Sequence, residues 1–176
     1  MNQNGDTSVH QGQLTHFDEH GRATMVDISN KEVTYRVATA RVLIDMLQST
    51  REQVEQRLLK KGDVLLVAEL AASMGAKKTP DLIPLCHPIP LTSVQVAHHF
   101  LDRQGERATL EFQVTVSAHY RTGIEMEALT ACSVAALTVY DMCKAIDRGM
   151  VIRDLQVVHK SGGKSGTFNV PMASTD

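Results

Sequence analysis

A chain of 176 residues with 43% hydrophobic content is expected to form one domain with a real core. Its net charge of −2 supplies no global basic field for a polyanion, and with no Trp and only 4% aromatics a base-stacking nucleic-acid surface is disfavoured. Three cysteines without a CxxC pair fit a reducing cytoplasm rather than a disulfide scaffold, and no apolar N-terminal stretch reads as a signal peptide or membrane anchor.

In chain order, residues 1–14 are polar and are expected to form a disordered tail. Thr15 to Lys31 carries an apolar island, TMVDIS, which reads equally as an ordered arm or as a loose lead-in. Glu32 to Asp45 is dense in β-branched residues and predicts a strand, with Val33, Tyr35, Val37 and Leu43 on one face and Arg36 on the other. Ser49 followed by Glu52 has the capping-box pattern of a short helix to about Leu59, closed by Lys60, Lys61 and Gly62. Asp63 opens a second helix, ended by Gly75. Residues 76–91 hold prolines at 80, 84, 88 and 90, which argue for an irregular loop; its apolar content pins it to the core with Cys86 and His87 at its centre. Ser93–Leu101 and Arg107–Ala118 alternate as a hairpin around DRQGE, with Leu110, Phe112, Val114 and Val116 on one face and Glu111, Gln113 and Thr115 on the other.

The segment from Gly123 to Lys144 organises the rest. Two carboxylates, Glu125 and Glu127, precede an uncharged run from Ala128 to Tyr140; charge returns at Asp141 and Lys144. An Ala-, Leu- and Val-rich run without Pro or Gly predicts a helix, apolar almost all round and therefore buried. Glu127 and Asp141 are fourteen residues apart, about 21 Å at 1.5 Å per residue. A small ligand that needs both ends is most simply served by two chains.

A last strand, Met150 to His159, completes an α+β fold: the split β-α-β, ferredoxin-like arrangement of a four-stranded antiparallel sheet with helices packed on one face. The expected domain is residues 15–168, with 169–176 as a frayed tail. Such a fold decides nothing about chemistry.

Three groupings could. KSGGKSG, from Lys160 to Gly166, lets backbone N–H groups and lysines approach an anion, although it lacks the first glycine of a P-loop; the alternative is a flexible basic loop. In LCHP, adjacent Cys86 and His87 are poor joint ligands for one zinc, so His87 reads as a hydrogen-bonding or acid–base group, or as a structural tie. Asp141 and Lys144 share a helix face as an acid–base pair or a plain salt bridge. Glu125 and Glu127 suit the positive end of the helix dipole, and Glu127 is expected to face inward.

Taken together, DLIPLCHP, GIEMEALTA, YDMCKA and KSGGKSG, with THFDE, MVDIS and KKGDVL, resemble the cyclic pyranopterin monophosphate synthase family, molybdenum cofactor biosynthesis protein C. The resemblance covers about Leu14 to Phe168. It implies a cytoplasmic homohexamer built as a trimer of dimers, with active sites at the dimer interface and neither nucleic acid nor membrane as partner. It implies a lyase that converts a small nucleotide-derived substrate, 3′,8-cyclo-7,8-dihydroguanosine 5′-triphosphate, to cyclic pyranopterin monophosphate with release of pyrophosphate. By the same resemblance Leu85, Cys86, His87, Met126 and Glu127 line the substrate site and Asp141 is an acid–base residue. Lys144, Lys160 and Lys61 are its catalytic or phosphate-binding companions, and Arg36 and Glu125 belong to the same neighbourhood. No resident metal or cofactor is expected, though Mg²⁺ could accompany the triphosphate. A non-catalytic nucleotide-binding oligomer is the alternative.

Overall fold

The computed structural model describes residues 20–60, 62–101, 105–164 and 166–170. The elements in order are β1 (Thr34–Leu47), α1 (Gln48–Glu55), α2 (Val64–Lys77), α3 (Thr79–Leu82), β2 (Ser93–Leu101), β3 (Arg107–Tyr120), α4 (Glu125–Cys143), β4 (Val151–Ser161) and β5 (Phe168–Asn169). They form an α+β fold with one antiparallel sheet in the order β2-β3-β1-β4-β5. The first four strands stand in the ferredoxin-like arrangement. The sheet has five strands rather than four, because the glycine loop after β4 turns the chain back and two residues pair with His159 and Lys160. Val170 N also donates to Val158 O at 2.9 Å. Residues 1–14 and 171–176 lie outside the described residues.

One face of the sheet and two helices make the core. From β1 it takes Ala38, Ala40, Val42, Ile44 and Met46, and from β3 Leu110, Phe112, Val114 and Val116. Complete burial of one such side chain is worth about 1.5–3 kcal/mol. The even-numbered residues of β1 therefore face inward, whereas Tyr35 and Val33 are exposed. The expected alternation holds, and the face that carries Arg36 is the one turned to the helices. The consequence is functional: Arg36 shares the helix-bearing face with Ala38.

Three local expectations give way to tertiary packing. Gly75 does not end α2, which runs on to Lys77; a Cβ at Gly75 would come 2.9 Å from Val134 Cγ2, so this glycine is where α2 crosses α4. The proline-rich loop contains one helical turn, α3, with Pro80 in its first turn, where a missing N–H costs nothing. The Ser49 capping box does not form. The first turn of α1 is held instead by Asp147, whose Oδ2 accepts from Leu47 N at 2.8 Å and Thr50 Oγ1 at 3.2 Å.

Helix α4 buries ten of its residues against the sheet and α2. It is not buried all round, however. Leu137 stands 60% exposed, and α2 carries its own exposed apolar stripe, Leu66, Leu70 and Met74 at four-residue spacing.

Candidate active site

The site grows from the turn before α4. Gly123 has no side chain, and a Cβ there would fall 2.0 Å from Glu125 Oε2. Glu125 can therefore fold back over the turn, where its Oε1 accepts from Lys160 Nζ at 2.9 Å. That bond joins the first turn of α4 to the end of β4. Arg36 stands beside it on β1, its Nε donating to Tyr120 O at 3.1 Å. The next part of the chain, Gly162 and Gly163, presses on β1: a Cβ on Gly162 would meet Tyr35 O at 2.2 Å, and one on Gly163 would meet Arg36 Nη1 at 2.4 Å. Their φ angles of +94° and +76° also suit glycine alone.

A cavity of about 430 Å³ opens in front of this turn, lined by Leu85, Cys86, His87, Met126, Glu127 and Glu125 among others. The loop 83–91 and the helix start thus converge on one cavity. Glu127 is only 2% exposed, and burial pushes its carboxyl up to about 7, with the charge of Glu125 adding to the effect. Burial also raises the Cys86 thiol, and Glu127 raises it further. A thiol raised in this way is a poor nucleophile at neutral pH. The site therefore offers a carboxyl poised to exchange a proton near neutrality, a neutral thiol and an imidazole.

The segment before β1 forms part of the wall. Val26 and Lys31 line the same cavity, Ile28 is buried, and Arg121 Nη1 donates to Ser29 O. Hydrogen bonds from Ser29 hold the Asp27 carboxyl below its ordinary value, and the nearby charge of His87 lowers it further. The apolar island is thus an ordered arm. Val26, Lys31, Arg121 and Thr122 were not singled out from sequence; the MVDIS island and the RTG preceding GIEM were the available signals.

Asp141 and Lys144 lie elsewhere. They form a 2.6 Å ion pair, 61% and 54% exposed, at the C-terminal end of α4, and neither lines this cavity. Hydrogen bonding to Asp141 and its charge raise the Lys144 ammonium above its ordinary value. Within one chain the expected residues thus fall into two groups: Arg36, Leu85, Cys86, His87, Glu125, Met126, Glu127 and Lys160 at one end of α4, and Asp141 with Lys144 at the other. Lys61 lies outside the described residues. Among the described residues no group of three or more His, Cys, Asp or Glu is arranged to hold a metal ion, and no helix is long and apolar enough to cross a membrane.

The chain also matches known proteins along most of its length. Residues 25–163 match the model of the MoaC family. A cyclic pyranopterin monophosphate synthase of Rhodospirillum rubrum is 54% identical over 155 residues, covering 88% of this chain and 92% of the relative. The protein of the same name from Dinoroseobacter shibae is 54% identical over 155 residues, 88% of this chain and 96% of the relative. That of Brevibacillus brevis is 52% identical over 157 residues, 89% and 96% respectively. On a family match that spans most of the chain and relatives matched nearly end to end, the chain belongs to the MoaC family.

Proposed function

We propose that this chain is a cyclic pyranopterin monophosphate synthase, converting 3′,8-cyclo-7,8-dihydroguanosine 5′-triphosphate to cyclic pyranopterin monophosphate and pyrophosphate in the biosynthesis of the molybdenum cofactor. The observation that carries the reading is the cavity in which Glu127, Cys86 and His87 meet, with the Glu125–Lys160 pair at its edge. Rebuilding a purine-derived ring needs repeated proton transfers, and a buried carboxyl that titrates near 7 is suited to give and take them. A cyclic monophosphate arises from a triphosphate when a hydroxyl oxygen of the substrate attacks the α-phosphorus and the bond to the bridging oxygen of the β-phosphate breaks. Fixed cations such as Lys160 and Arg36 neutralise the charge of the triphosphate.

Asp141 and Lys144 are assigned acid–base and phosphate-binding roles in a site completed by a second copy of the chain. Antiparallel packing of α4 on its mate brings the C-terminal end of one helix to the N-terminal end of the other. The exposed residues Leu66, Leu70, Met74 and Leu137 supply apolar surface for that contact. Three such dimers would make the hexamer, located in the cytoplasm. Mg²⁺, if it takes part, would enter on the triphosphate with phosphate oxygens and water as ligands. Incubating the purified protein with the cyclised dihydroguanosine triphosphate tests the reading: a pterin and pyrophosphate should appear in equal amounts, and a folded protein that releases neither refutes it.

A further inference from the structure

Glu127 belongs to two cavities. In the first, described above, the titratable groups around it are Glu125, Cys86, His87 and Lys31. The second, of about 330 Å³, lies between the end of α2 and the proline-rich loop. Ile89 and Glu127 line both, so the two cavities meet at these residues. The second opens to solvent, since Lys77, Pro88 and Pro90 on its wall are exposed. It is also held open. Pro80, Pro88 and Pro90 have fixed φ, so the loop cannot slump into the space. The helical side is tied as firmly: Thr79 is fully buried, and its Oγ1 donates to Ala76 O at 3.1 Å, joining the end of α2 to α3. Among the described residues of this lining Lys77 is the one charge besides Glu127, and there is no second acid to hold a proton. At about 30 Å³ for each molecule of liquid water, the space takes about ten. The proline carbonyls, which have no N–H beside them, give that water acceptors.

We propose that this second cavity is a water inlet through which Glu127 exchanges protons with solvent while the substrate fills the first. The inference rests on the function proposed above. Glu127 is only 2% exposed, and a nucleotide-sized ligand in the first cavity covers the approach past Cys86 and His87. A residue that gives and takes protons repeatedly needs a route by which its state is restored between steps, and one intervening water suffices to carry the proton. The step balances with water alone. The Glu127 carboxylate takes a proton from the substrate and becomes the acid. The acid passes that proton to a water in the second cavity, it leaves past Lys77 as hydronium, and the carboxylate is restored. The same route in reverse reloads the carboxyl. Pro88, Ile89 and Pro90 directly follow His87 in the chain, so one short segment contributes to the substrate's cavity and to the inlet behind it.

The test blocks the inlet and spares the substrate's cavity. Ala76→Leu fills the hollow from the end of α2, and Lys77→Trp, at an exposed position, obstructs its mouth from outside the core. Neither residue lines the first cavity. Steady-state kinetics of the full-length protein on the cyclised dihydroguanosine triphosphate are measured in H₂O and in D₂O. Each variant should lower kcat by about tenfold or more, a part of what general acid–base catalysis supplies, with KM unchanged. The solvent deuterium isotope effect on kcat should exceed that of wild type, because proton exchange becomes the slow step; a merely structural disturbance leaves it unmoved. Lys78→Trp, the next residue and outside the lining of either cavity, should behave as wild type. Overpacking makes Ala76→Leu the variant more prone to unfold, and Lys77→Trp decides the matter if it does. An unchanged kcat in folded Lys77→Trp, a lowered kcat with the isotope effect of wild type, or a raised KM overturns the inlet. The two readings fail distinguishably: a wild type that turns over, with blocked variants that keep pace, retains the function and loses the inlet, whereas a folded wild type that releases no pterin loses both.

Discussion

Glu125 Oε1 accepts from Lys160 Nζ at 2.9 Å across thirty-five residues of sequence, so the first turn of α4 and the end of β4 are held as one unit beside Glu127. Removing the lysine acts on both carboxylates. Lys160→Met leaves Glu125 without this cation next to Glu127, whose proton affinity the charge of Glu125 already raises. The variant should lose most of its turnover, and the residual activity should show its carboxylate-dependent limb displaced to higher pH. A pH–rate profile on wild type and variant checks this; an unshifted limb would mean that the pair does not communicate with Glu127.

Gly123→Ala tests the same unit by a different route. The new Cβ would sit 2.0 Å from Glu125 Oε2, which is the far end of a flexible side chain, so Glu125 must swing away and release Lys160. Activity should drop by an order of magnitude or more while stability changes by less than about 1 kcal/mol. Gly162→Ala should behave oppositely. Its Cβ meets the backbone oxygen of Tyr35 at 2.2 Å with φ at +94°, and the strain should cost about 1–3 kcal/mol in denaturant unfolding.

Burial raises the Glu127 carboxyl from 4.5 to about 7. A folded-state pKa above the unfolded one means the native protein holds the proton more tightly. The stabilisation that follows is complete below about pH 4.5 and is lost as pH rises through 7. Above that, the ionised buried carboxylate is a burden of up to about 3 kcal/mol per chain, at 1.36 kcal/mol for each unit. Glu127→Gln should therefore be more stable than wild type at pH 8, and the two should converge at pH 4, while the variant is inactive throughout. Parallel melting curves at several pH values suffice; a stability difference that does not vary with pH would place the charged form comfortably in its pocket.

Asp147 accepts from Leu47 N, Thr50 Oγ1 and Gly149 N and is 4% exposed. It is the far-off cap of α1. Asp147→Ala leaves the buried Thr50 hydroxyl and two partly buried backbone N–H groups without this acceptor and should cost about 2–4 kcal/mol, as for loss of hydrogen bonds to a charged group. It is remote from the Glu127 cavity, so kcat should survive at temperatures where the variant is folded. Denaturant midpoints and kinetics measured on the same preparation separate the two effects.

How much of this was legible in the sequence depends on how local the signal is. Strands β2 and β3 have strong periodicity, and their apolar faces are where the pattern puts them; helix α4 is apolar almost all round, so its place was legible but the exposed position of Leu137 was not. In strand β1 the alternation was legible but the buried face was not, because the exposed Tyr35 and Val33 are more hydrophobic than the alanines that face the helices. Gly75 and Pro80 carry the local grammar of helix ends and breaks, but Gly75 is required for the approach of α4 and Pro80 sits where a helix tolerates it. The site follows the same rule. LCHP and GIEME are contiguous strings, and each contributes adjacent residues to the first cavity. Lys31, Thr34 and Arg121 are scattered singly and acquire meaning only when β1, β3 and the glycine loop bring them to one hollow.

The last prediction concerns the two ends of α4. Glu127 in its first turn and Asp141 in its last are about 21 Å apart at 1.5 Å per residue, beyond the reach of one small substrate. Asp141 is 61% exposed and pairs with Lys144, outside the cavity that Glu127 lines. If both serve one reaction, they come from different chains, and a two-fold contact through the helix layer would create two equal sites. Leu70, 63% exposed on the α2 stripe, lies in the surface such a contact would bury. Leu70→Asp should then reduce oligomer size in sedimentation and abolish turnover together. The sharper test mixes two inactive variants. Glu127→Ala and Asp141→Asn, unfolded and refolded together in equal amounts, form half their dimers as mixed pairs, and each mixed pair has both lesions in one site and none in the other. Activity should return to about a quarter of wild type by that symmetry, while each variant refolded alone stays inactive. If subunits demonstrably exchange and no activity returns, one chain must bring both ends of its own helix to the substrate, which 21 Å of α-helix does not allow, and Asp141 has then no part in the reaction at Glu127.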